Sequence, residues 1–111
     1  MKNLGAALLL LALASPLAAK EWKRVTLMDT NCSGKKASLE HPEKHTAGCA
    51  IKCSKSGYGA MIDGKYVKFD AKGDKLAAAA LKKTAKKDHL SATVVGEMKG
   101  DQIAVTSLKL D

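Results

Sequence analysis

Tyr58-Gly59-Ala60-Met61-Ile62-Asp63-Gly64-Lys65-Tyr66-Val67-Lys68-Phe69 is followed, after the turn Ala71-Lys72-Gly73-Asp74, by Lys75-Leu76-Ala77-Ala78-Ala79-Ala80-Leu81-Lys82-Lys83-Thr84-Ala85-Lys86. Asp63-Gly64 between two runs of β-formers is a strong two-residue hairpin signal. It predicts strands at Tyr58–Ile62 and Lys65–Phe69. The Ala, Leu and Lys residues of Lys75–Lys86 favour helix, with Asp74 as a plausible N-cap. Leu76 and Ala80 share one side of that helix and Leu81 sits off it, so its apolar stripe is modest.

Working outward, Glu21–Met28 holds Trp22, Val25 and Thr26 and reads as a first strand. Asp29–Lys44 is polar, with Gly34 and Pro42, and reads as a long loop. His45–Ser54 has helical spacing, weakened by Gly48. Leu90–Met98 and Gln102–Leu110 alternate as strands around the tight turn Lys99-Gly100-Asp101. In the last strand the apolar side switches between Val105 and Leu108, which marks a bulge or a strand end buried on both faces. The order is β-β-β-α-β-β, with a Cys/His helical insertion after the first strand. It predicts a mainly β, α+β domain: a small OB-fold-like five-stranded barrel whose helix lies between strands 3 and 4. The alternative is another small α+β sheet with the helix on one face.

The chain begins with Lys2, an apolar run Leu4–Ala14, and Ser15-Pro16-Leu17-Ala18-Ala19. This pattern predicts a signal peptide over residues 1–19, cut after Ala19, because a cut after Ala18 would place Pro16 at the −3 position. An uncleaved N-terminal anchor is the alternative. The run is too short for a membrane helix, which needs about 20 apolar residues, and no later segment is long enough. Residues 20–111 then form one periplasmic or secreted domain, small enough to gain from a disulfide, a metal or a partner.

The net charge of the full chain is +8. The leader holds Lys2 and no acid, so the remainder carries +7. Nearly all of it is lysine, and Arg24 is the only arginine. Nucleic-acid readers rely on the arginine fork, so nucleic acid is not expected; an anionic envelope component is the partner class that such a surface suits. The sequence shows no paired carboxylates, phosphate loop or triad, and an enzyme is not expected.

Chemistry gathers at Cys32, His45, Cys49 and Cys53. On a helix, residues spaced by four advance about 40° per step, so His45, Cys49 and Cys53 would form one stripe, with Cys32 delivered by the loop before it. Three thiolates and an imidazole make a tetrahedral set suited to zinc, and thiolates also suit copper(I). The spacing is not that of zinc fingers, and the ligands converge only if the helix bends. The competing chemistry is a disulfide from Cys32 to Cys49 or Cys53. That bridge would leave one thiol beside His45 and yield a stapled structural or interaction module without metal. A Cys49–His45 nucleophilic pair lacks an orienting third group.

These residues also carry a resemblance. Leu27-Met28-Asp29-Thr30-Asn31-Cys32, the run His45 to Gly59, Asp63-Gly64-Lys65, Lys68-Phe69-Asp70 and Val94 to Asp101 resemble a group of small secreted bacterial proteins with a Cys…His-x3-Cys-x3-Cys segment. The resemblance implies an exported OB-fold-like domain and carries over no catalytic residues.

Overall fold

The computed structural model describes residues 19–111. The leader expected at residues 1–19 lies, but for Ala19, outside them. Strand β1 covers Lys20–Asp29, and β2 (Tyr58–Ile62) and β3 (Lys65–Phe69) form the expected hairpin. Its turn has φ 50° at Asp63 and 79° at Gly64. Positive φ at both central residues is the turn geometry that matches the twist of the flanking strands, and Asp-Gly supplies it cheaply. Strands β4 (Ser91–Lys99) and β5 (Gln102–Leu110) form the second hairpin.

The five strands form one mixed sheet in the cyclic order β1-β2-β3-β5-β4, with β4 returning to β1. All neighbours are antiparallel except β3 and β5, which meet in parallel at Lys68 opposite Gln102 and Phe69 opposite Ile103. The expected switch in β5 is a bulge. Val95 faces Ser107 and Gly96 faces Val105, so Thr106 is the extra residue. It moves the inward register from Ile103 and Val105 to Leu108 and Leu110. A second irregularity in β1 sets Lys23 and Arg24 against the single residue Thr93, with Arg24 at φ 56°.

The helix between β3 and β4 is α4, Ala71–Lys83. It starts four residues before the expected Lys75, because Asp70 rather than Asp74 is its cap. Asp70 Oδ1 accepts from Gly73 N at 2.9 Å and from Val105 N at 3.2 Å, which ties the helix to β5. Asp74 instead accepts Tyr58 N at 2.8 Å and holds the start of β2. Ala77 and Leu81 are buried from α4, against a core of Leu27, Tyr58, Ala60, Phe69, Leu90, Val94 and Ile103.

The segment between β1 and β2 corrects the expectation most. Asp29–Lys44 is not a plain loop: it carries α1 (Thr30–Ser33), α2 (Lys36–Glu40) and a 3-10 turn, Pro42–Lys44. The Cys/His helix shrinks to α3, Ala47–Lys52, followed by a 3-10 turn at Ser54–Ser56. Thr46 Oγ1 accepts Cys49 N at 3.1 Å and fixes the helix start there, so His45 lies before the cap in extended conformation. Cys53 is the C-cap. The expected single stripe of His45, Cys49 and Cys53 therefore does not form. Two main-chain bonds, Ala47 N to Lys87 O and His89 N to Glu43 O, moor the insertion to the segment before β4.

Candidate metal centre

The site is built where β1 ends. The pairing of β1 with β2 carries Asp29 opposite Tyr58, and Asp29 is fully buried. A carboxylate is costly there unless several donors satisfy it. Asp29 is the N-cap of α1, and its Oδ2 accepts Cys32 N at 2.8 Å. Its Oδ1 accepts from His45 Nε2 at 2.6 Å, across 16 residues of sequence. Cys32 and His45 are each 8% exposed. One ligand-type atom from each of Asp29, Cys32 and His45 lies within 4.8 Å of the others. That group could hold a metal ion.

The surrounding side chains fix the group. Tyr58 OH donates to Ala50 O at 2.8 Å, which presses α3 onto the sheet. Tyr66 OH donates to Met28 O at 3.3 Å and shares a hydrogen bond with Thr30 Oγ1 at 2.9 Å. Burial, countered by the bond to Thr30 and reinforced by the charge of Asp29, pushes the Tyr66 phenol up to about 12. Burial likewise raises the Tyr58 phenol.

The Cys32 thiol is pushed up to about 11, first by burial, then by the charge of Asp29 and its hydrogen bond to that carboxylate, then by Cys53, with Lys35 acting the other way. It is therefore a protonated thiol at neutral pH, with little nucleophilic character. A bound cation would reverse that balance, because a coordinating thiol is deprotonated outright. A tetrahedral ion with bonds of about 2 Å sets its ligands roughly 3.3 Å apart. The 2.6 Å contact of Asp29 and His45 is shorter than that. A metal between them must replace the shared proton and part the two side chains.

Of the residues singled out from sequence, Cys32 and His45 come together here. Cys49 is exposed and Cys53 half-buried, and neither joins the Asp29 group. None of the three cysteines is bridged to another. Cys53 Sγ accepts Asn31 Nδ2 at 3.5 Å and so stays beside α1. Cys49 lines a cleft of about 390 Å³ with His41, Lys44, His45 and Thr46. Sequence reasoning missed Asp29. The signal was present: Asp29 is a favoured N-cap residue standing three residues before Cys32, at the end of a strand.

Two other depressions lie elsewhere. One, of about 500 Å³, is lined by Tyr66 and Val67 of β3 and by Met98 and Asp101 at the β4–β5 turn. The other, of about 390 Å³, runs between α4 and the end of β5, over Leu76, Leu108 and Leu110. No helix among the described residues is long and apolar enough to cross a membrane. No model of a known family, no curated protein and no solved structure matches the chain.

Proposed function

We propose that this chain is an exported, non-enzymatic binding domain that holds one transition-metal ion through Asp29, Cys32 and His45. The observation that carries the reading is the convergence of these buried ligand-type atoms within 4.8 Å. A carboxylate, a thiolate and an imidazole together suit zinc-class ions, and copper is the next candidate. The cyclic strand order with the helix between β3 and β4 supports an OB-fold barrel as the scaffold, with the metal segment inserted between β1 and β2. The export reading rests on the leader alone, and the lysine-rich surface fits an anionic envelope partner.

Competition titration of the reduced protein against a chromophoric zinc chelator tests this. The parent should take up zinc, and Cys32→Ser, His45→Ala and Asp29→Asn should each weaken uptake by about 10-fold or more. Equal affinity in all four proteins would refute the site.

One observation favours a second reading. Cys53 Sγ accepts Asn31 Nδ2 at 3.5 Å, next in sequence to Cys32, so a disulfide-forming oxidant outside the cytoplasm would take one hydrogen from each thiol and join that pair into a staple between α1 and the end of α3. A non-reducing mass two hydrogens short, with Cys49 alone open to alkylation, would select it.

A further inference from the structure

Helix α4 carries two apolar stripes, and the core uses only one. Gly73, Ala77 and Leu81 are buried. Leu76, Ala79, Ala80 and Lys83 follow the i, i+3, i+4, i+7 spacing of a second helix face. All four line the groove of about 390 Å³ between α4 and the end of β5. The bulge at Thr106 supplies the opposite wall, because it brings Leu108 and Leu110 to the inward side. The short alanines of α4 leave both leucines, and Leu76, half-buried at the edge of the core.

The lining is leucine and alanine apart from Lys83, Thr84 and Lys109. The Thr84 hydroxyl already accepts Lys86 N at 3.2 Å. A peptide laid here would need partners for its main-chain N–H and C=O groups, and these side chains offer almost none. A hydrocarbon chain needs none. The charge is one-sided as well. Lys83 stands on the α4 wall and Lys109 on the β5 wall, no acidic residue lines the groove, and neither lysine forms an ion pair among the described residues. Asp111, the acid nearest the β5 wall in sequence, has its carboxylate engaged by Ser91 Oγ at 3.0 Å and Thr93 Oγ1 at 3.2 Å. The free carbonyls at the end of α4 carry about half a negative charge, which Lys82, Lys83, Lys86 and Lys87 outweigh.

We infer that this groove binds one fatty-acid anion, its acyl chain over Leu76, Leu108 and Leu110 and its carboxylate at the lysine rim. A volume of about 390 Å³ lies at the small end of ligand sites, which run from about 300 to 1,000 Å³. It suits a single chain rather than the pair carried by a diacyl lipid. Apolar burial supplies the affinity, and Lys83 and Lys109 select the anionic end. The groove shares no residue with the Asp29, Cys32 and His45 group, so this binding stands apart from the metal reading.

Decanoate titrated into isotope-labelled protein, below its micelle concentration and read by amide chemical shifts, tests the assignment. Saturable shifts should centre on Leu76, Ala80, Leu108 and Leu110. The apparent Kd should fall about 2- to 4-fold for each methylene added from hexanoate to decanoate. Decanol, the neutral analogue, should bind more weakly. Lys83→Glu should weaken decanoate by about 3-fold or more and leave decanol unchanged. Ala79→Trp, at an exposed position of the wall, should abolish binding of both, with folding checked by circular dichroism. Should that variant fail to fold, the chain-length series in the parent decides alone. A Kd indifferent to chain length, or the lack of saturable shifts, would overturn the proposal. So would shifts centred on the depression beside Tyr66 and Met98, or decanol binding as tightly as decanoate. A dimer in solution whose contact covers the groove would assign it to a second copy of the chain and overturn the proposal too.

Discussion

Asp29 is the residue on which the insertion turns. It caps α1, accepts from His45 and faces Cys32, all while fully buried. Removing one partner of such a buried pair strands the other, at a cost of about 3–5 kcal/mol, with loss of the cap on top of that. Asp29→Ala should therefore lower the urea midpoint far more than Cys49→Ala, whose side chain is exposed. Urea denaturation of the two variants side by side checks this; equal midpoints would contradict it. Cys32 adds a pH dependence. Its folded pKa, about 11, stands above the ordinary 9.0. The folded chain thus keeps a proton that the unfolded chain releases, and this contribution is full below pH 9. It is lost as pH rises from 9 to 11, by roughly 2–3 kcal/mol. The raised Tyr66 phenol titrates next to this region, so the test is the difference between the parent and Cys32→Ala. The variant should show a shallower fall in stability across that window, and parallel curves would refute the assignment.

At the scale of elements, the strands and the long helix were legible and the insertion was not. The β2–β3 hairpin could be read because Asp63-Gly64 is a local signal with one good solution. The bulge at Thr106 could be read because the inward side changes between Val105 and Leu108. The start of α4 was misjudged because Asp70 and Asp74 are both favoured caps, and only the distant Val105 N and Tyr58 N decide between them. The Cys/His segment was misjudged for a related reason. The spacing of four promised a stripe, but Thr46 starts the helix after His45, and the buried Asp29 draws His45 away from it. Cys32 and His45 were legible as residue types; Asp29 offered only its N-cap signal three residues before Cys32, and its bond to His45, 16 positions away, left no local trace. The cap assignment carries its own expectation. Asp70→Ala should cost about 1–2 kcal/mol, more than the loss of a helix cap alone, since Val105 N loses its acceptor too. Thermal unfolding checks it, and a variant as stable as the parent would refute the link between α4 and β5.

Across the whole molecule, the ring of strands needs α4 pressed close to it, and Gly73 is where they meet. A Cβ there would stand 2.6 Å from Phe69 Cβ and 2.6 Å from Val105 Cγ2. Gly73→Ala should therefore destabilise the domain by about 1–3 kcal/mol, although alanine favours helix. A stabilised variant in chemical denaturation would contradict the packing. The same architecture explains why Cys32 and His45 of the insertion gather at Asp29, the last residue of β1. The sheet consumes its inward positions on a small apolar core, and the rim where β1 ends is the place where a buried carboxylate finds enough donors.

The central claim is that Asp29, Cys32 and His45 hold a metal. It is tested most directly by a native mass spectrum of the reduced Cys49→Ser protein after zinc equilibration and desalting, because that variant removes the outer thiol and leaves the buried group intact. The account predicts one retained zinc ion per chain, lost when Asp29→Asn is added. A spectrum showing only the mass of the protein would contradict it.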